Sequence, residues 1–231
     1  MSYLQSTSLE NLGQVEQNTF VHRVYGWMTG GLAITAVIAL AVAASPDATM
    51  AMRGLFIPLI VIELLLVFGL SFLVNRIPPA LAAVMFLGYS ALNGLTLSAI
   101  FLVYTSSSIA SAFVVSAGMF GAMAVYGSVT KRDLTSVGSF MVMGLIGIIL
   151  ASVVNIWLHS PMIYWVTTYL GVFIFVGLTA YDAQKIKQIG AAGWVGDASR
   201  RASIMGALAL YLDFINLFLM VLRIFGGGRR D

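Results

Sequence analysis

The sequence predicts an all-α polytopic membrane protein with seven transmembrane helices. Two observations carry that reading. The 231-residue chain is 60% hydrophobic and only 9% charged, with a mean hydropathy of +0.96, whereas an ordinary soluble domain has about 25% charged residues. Its apolar residues also fall into runs of about 20, the length a helix needs to cross a hydrocarbon core of about 30 Å. Too little polar surface remains to coat a water-soluble globule.

The seven runs cover approximately residues 24–44, 54–74, 80–104, 109–129, 137–158, 162–183 and 203–225. Turn chemistry separates them: Ser45-Pro46-Asp47, Asn75 to Pro79, Thr105 to Ser108, Lys131-Arg132-Asp133 and His159-Ser160-Pro161. A longer connection, about residues 184–202, is expected to be exposed. The short connections pair the first six segments into three hairpins and leave the seventh unpaired. Residues 1–20 form a short polar segment carrying Glu10 and Glu16, without the basic start and apolar stretch of a secretory signal. Residues 21–231 are then a single transmembrane domain. Gly118, Gly121, Gly144 and Gly147 suit close helix packing.

Basic residues set the orientation. With the N-terminus inside, eight lie on the inner side (Arg23, Arg76, Lys131, Arg132, Lys185, Lys187, Arg200 and Arg201) and three on the outer (Arg53, Arg229 and Arg230). The N-terminus is therefore expected in the cytoplasm. The net charge of +3 reflects basic loop ends, not a basic patch on a soluble domain, so nucleic-acid binding is not expected. The absence of cysteine excludes disulfides, thiolate metal sites and cysteine nucleophiles.

Charges within the drawn spans are few and carry the functional reading. Asp213 lies in the middle of the seventh, roughly 15 Å from water on either side by helical rise. Burying it costs about 2.5–3.5 kcal/mol even on the lenient insertion scale. The seventh helix should therefore be surrounded by protein. Asp182 ends the sixth span. Two carboxyl groups from adjacent helices that approach in a low-dielectric site share a proton, and bind a hard cation when deprotonated. Asp182 reads equally as an interfacial residue paired with Lys185. Arg76, just past the second span, is either a latch for Asp182 at the inner mouth or a plain loop arginine. Glu63 and Arg223 both fall in outer halves of their helices, where an ion pair would cancel two costly charges. Alternatively, Arg223 snorkels to the headgroups. Tyr181 and Tyr211 stand beside acids in sequence, but adjacent helix positions point about 100° apart, so their partners are expected on other helices. Asn216, one turn beyond Asp213, extends a polar stripe.

The inventory points to no enzyme. No lysine lies deep in a span for a retinal Schiff base, His22 and His159 are at helix ends, and no HExxH occurs.

The stretches GLTAYDAQKIK (177–187) and ALALYLDFINLFLMVLRIFG (207–226), with FVHRVYGWMTGGLAIT (20–35) and NGLTLS (93–98), closely resemble the signatures of the transmembrane Bax-inhibitor-motif family. The short N-terminal part resembles its bacterial branch, which implies the bacterial inner membrane. The resemblance implies three hairpins wrapped around a central seventh helix. It also implies a pH-sensitive calcium leak governed by two aspartates that match Asp182 and Asp213, with calcium as the bound or transported ion and no other cofactor. Arg76 is the nearest match to the family's basic latch, and Glu63 and Arg223 match an acidic and basic pair. Some bacterial members are thought to modulate a membrane-bound protease, so the competing readings are a regulatory binding protein and a proton-coupled transporter.

Overall fold

A computed structural model describes the backbone of residues 2–226 and the side chains of residues 13–226 other than Thr49 and Arg53. Arg229, Arg230 and the side chains of Arg53 and Glu10, used above, lie outside the described residues. The described chain contains helices α1 (Ser2–Ala43), α2 (Pro46–Leu73), α3 (Pro79–Leu97), α4 (Ile100–Val103), α5 (Ser106–Val129), α6 (Thr135–Leu158), α7 (Pro161–Ala191) and α8 (Gly196–Phe225), with no strand among the described residues. Seven spans are long and apolar enough to cross a membrane, with α3 and α4 together forming the third. Large apolar side chains such as Leu65, Phe72 and Ile146 are exposed along them, as lipid contact requires.

Helix starts follow the turn signals. Pro46, Pro79 and Pro161 occupy first helical positions, where a missing N–H costs nothing. The Thr105 hydroxyl accepts from Ser108 N–H (3.2 Å) at the start of α5. Asp133 accepts from Thr135 Oγ1 (2.6 Å) and Thr135 N–H (2.9 Å) at the start of α6. His159 ends α6 in the left-handed region at φ 50°, and Asn155 Oδ1 accepts from Ser160 N–H (2.8 Å).

Two spans show detail beyond the sequence reading. The third span is broken at Ser98 and Ala99, where Ser98 Oγ donates to Leu95 O (2.6 Å) and the next backbone bonds tighten to a three-residue spacing. The connection at 184–202 is mostly exposed, as expected, and is also mostly helical, because its Ala, Gln, Lys and Arg residues are good helix formers. α7 runs on to Ala191 and α8 starts at Gly196. Only the stretch between them breaks, where Gly193 and Gly196 adopt positive φ (69° and 62°) that other residues avoid.

The chain forms two compact units. The first comprises Met1–Val103 and Ile186–Tyr211. In it α1, α2 and α3 pack on one another around Val24, Leu70, Phe86, Leu210 and Tyr211. Gly94 allows α3 to approach α1, since a Cβ there would lie 2.7 Å from Thr35 O. The polar segment is partly built into this unit: Phe20 is buried, and Gln17 Nε2 donates to Lys187 O (3.0 Å).

The second unit comprises Tyr104–Lys185 and Leu212–Asp231. Gly127 of α5 lies against the Ala180 backbone of α7, and Gly138 of α6 lies against the Tyr181 ring. Gln184 ties the α5–α6 loop to α7, accepting from Leu134 N–H (2.8 Å) and donating to Arg132 O (2.7 Å). These close approaches correct the glycine expectation. A Cβ at Gly118, Gly121 or Gly147 would meet nothing within 4 Å, and only Gly144, against Ile174, packs as expected. Hydropathy does not say which face of an apolar helix meets protein and which meets lipid.

Candidate functional site: a buried pair of carboxyl groups

The site lies in the second unit, where small residues draw helices together. Gly177 and Ala180 of α7 sit close to Met141 and Gly127. This leaves Asp182, at the unit's end of α7, partly buried. On α8, Asp213 is 4% exposed, flanked by the buried Phe214 and Leu217. In the most apolar stretch of α8, 61% of residues are buried, the highest share of any span. The seventh span is enclosed by protein, as its charges required.

The side chains of Asp182 on α7 and Asp213 on α8 are close neighbours, near enough to interact directly. Two carboxyl groups so placed can hydrogen-bond to each other only if one of them carries a proton. The other oxygen of Asp213, Oδ2, is buried and has no hydrogen-bond partner among the described residues. Lys185, one turn beyond Asp182, is its charged neighbour and lies over the Tyr181 ring (5.7 Å). A further buried oxygen, Ser116 Oγ of α5, also lacks a partner. Ser116 shares a helix face with Phe113 and Phe120, three residues before and four after, and both rings pack on Phe214 (5.6 Å each). Sequence reasoning missed Ser116. Its signal was a lone hydroxyl between two phenylalanines on one face of an apolar run.

The remaining candidates are placed differently from expectation. The two members of the expected ion pair lie in different units, and each has neutral partners within its own. Glu63 accepts from Thr96 Oγ1 (2.8 Å) and Asn93 Nδ2 (3.4 Å), both of the first unit. Arg223 stacks over the Tyr164 ring (5.5 Å) and points an Nη1 at Met220 Sδ (3.9 Å) in the second unit. Helix depth alone could not rank these neutral partners against an ionic one. Arg76 is exposed in the turn after α2, and its guanidinium has no hydrogen-bond or ion-pair partner among the described residues. Asn216 bonds to Leu212 O of its own helix (2.8 Å) and so does not extend the acid pair. Tyr211 does find its partners on other helices: Thr35 Oγ1 (2.6 Å) and Asn93 Oδ1 (3.2 Å).

No group of three or more His, Cys, Asp or Glu side chains that could hold a metal occurs among the described residues. Asp182 and Asp213 could contribute at most carboxylate oxygens to a cation that takes six to eight oxygen ligands. Carbonyl, hydroxyl or water oxygens would have to complete the shell.

Fold and site together define an all-α, multi-pass membrane protein with a pair of neighbouring carboxyl groups on its last two helices. The family described as inhibitor of apoptosis-promoting Bax1 (Bax1-I) matches residues 17–230. The chain belongs to that family. It is 54% identical over 217 residues to the protein named inner membrane protein YbhL of Escherichia coli K12, covering 91% of this chain and 92% of that one. A protein of Deinococcus radiodurans is 43% identical over 231 residues (100% and 98% covered). One from Borreliella burgdorferi is 42% identical over 219 residues (93% and 94% covered). With its seven spans, the chain is a multi-pass inner-membrane protein.

Proposed function

We propose that this protein is a pH-sensitive calcium leak, not an enzyme, in which protonation of the Asp182–Asp213 pair sets whether a cation can occupy it. One observation carries the reading: two neighbouring carboxyl groups inside the membrane domain, with the buried Asp213 Oδ2 unpartnered among the described residues. A buried acceptor without a partner costs about 1–3 kcal/mol, which a bound cation or a proton would relieve. Proton and cation then compete for the same oxygens. The sparse acid set favours brief, weak occupancy, as a leak needs and a storage site does not. The loop-end arginines and lysines support a cytoplasmic N-terminus.

The test is calcium flux into liposomes holding only the purified protein, measured across pH. Wild-type flux should vary steeply, by up to about tenfold per pH unit where the pair titrates. Asp213→Asn keeps the size, removes the titrating group and should flatten the profile. An unchanged profile in that variant rules the mechanism out.

Regulation of a membrane-bound protease is supported by a different feature. α1 has 42 residues, about 63 Å of helix against a core of about 30 Å, so its polar part projects beyond the bilayer. Deleting residues 1–12 leaves Gln17 and Phe20 in place. Loss of the cellular phenotype with flux unchanged would favour this reading.

A further inference from the structure

Two hollows lie side by side in the first unit. One, of about 450 Å³, is walled by Trp27 of α1, Pro79, Ala80 and Ala83 of α3, and Ile204 of α8. The other, of about 300 Å³, includes Glu16, Thr19, Trp194 and Ser199. Arg23 and Arg200 line both. Among the described residues neither guanidinium has a hydrogen-bond or ion-pair partner, whereas neighbouring Arg201 donates to Ile77 O (3.4 Å). The apolar run of α1 begins at residue 24, that of α3 at 80 and that of α8 at 203. The arginines therefore stand where three helices enter the hydrocarbon, at headgroup depth. Trp27, fixed edge-on against Phe86 (6.5 Å), is the ring type that favours this depth.

We propose that Arg23 and Arg200 form a binding site for one anionic phospholipid of the surrounding leaflet. The two forks hold its phosphodiester, for which guanidinium geometry is suited. An acyl chain leaves along the wall of Trp27, Ala83 and Ile204, and the headgroup alcohol occupies the smaller hollow. Two cations against the single acid Glu16 leave the site one positive charge in excess, which matches a lipid of net charge −1 such as phosphatidylglycerol better than a zwitterion. The apolar wall argues for lipid over a soluble phosphate ester, which would leave it wet. Basic pockets between membrane helices recognise anionic headgroups in this way.

Native mass spectrometry of the full chain in detergent, titrated with phosphatidylglycerol, phosphatidylethanolamine and glycerol 3-phosphate, tests the proposal. One phosphatidylglycerol should bind in preference to phosphatidylethanolamine. The double variant Arg23→Gln, Arg200→Gln should weaken it about thirtyfold, the equivalent of about 1 kcal/mol per arginine. Each single variant should weaken it about fivefold and supplies the reading if the double variant does not fold. Lys131→Gln with Arg132→Gln, in the other unit, should leave binding unchanged. Equal affinity for the two lipids, an equal loss in the lysine–arginine control, or displacement by equimolar glycerol 3-phosphate would each overturn the proposal.

Discussion

Glu63 and Asp213 are both carboxyl groups in apolar helices, but α2 buries 11% of its span and α8 buries 61%. On the more exposed helix, both oxygens of Glu63 have neutral donors, Thr96 and Asn93, in a chain that continues through Asn93 to Tyr211 and Thr35. On the enclosed helix, Asp213 has another acid as its partner and one oxygen with none. Donors that stay in place hold a charge in one arrangement. An acid partner makes the arrangement depend on a proton. Under the proposed function the two sites would divide the roles of framework and switch, and the difference lies in what each carboxyl group faces.

The sharpest way to break this comparison is to exchange the roles. Glu63→Gln should leave the pH dependence of calcium flux intact, while Asp213→Asn abolishes it. The reverse result would make Glu63 the switch. Next in size is Asp182→Leu, which leaves Asp213 buried without its partner at a cost of about 1–3 kcal/mol. A detergent melting curve should fall by about 2–4 °C per kcal/mol, and no fall would mean that the contact between the two acids contributes nothing. Tyr211→Phe should cost about 1 kcal/mol, because Asn93 loses a donor while Thr35 keeps its bond to Ser90 O (2.8 Å). Its flux should keep the wild-type pH profile, which separates framework from switch.

The smallest effect belongs to an acid outside the membrane. Asp133 is held below the usual carboxylate range by Thr135, first through its hydroxyl and then through its backbone N–H. A lowered folded value means that the contribution is complete above the unfolded value of about 3.9 and is lost as pH falls through the folded one. The melting difference between wild type and Asp133→Ala should therefore be present at pH 6 and shrink toward pH 2. A difference that persists at pH 2 would assign it to something other than the ionised cap.

The seven spans were legible because a bilayer imposes one length on every crossing segment, and proline and serine marked the ends. The buried aspartates were legible because an acid at mid-helix has no cheap explanation in lipid. The break at Ser98 was not, since a serine that bonds its own helix looks like any small polar residue. Nor was the partner of Glu63. Thr96 and Asn93 lie one turn apart on a helix whose rotation about its axis hydropathy does not report. Ser116 escaped for the same reason, its meaning residing in the phenylalanines that share its face.

The hydroxyls of Thr35 and Tyr211, 2.6 Å apart, are separated by 176 positions in the chain. The first unit is made from Met1–Val103 and Ile186–Tyr211, so its last piece is synthesised only after residues 104–185. At about 5–20 residues per second this delay is on the order of ten seconds. Throughout it, Thr35 can bond Ser90 O, but Asn93 Oδ1 is without the tyrosine that will donate to it. The last acceptor of this network is thus met only when the final helix joins a unit whose other helices were made first.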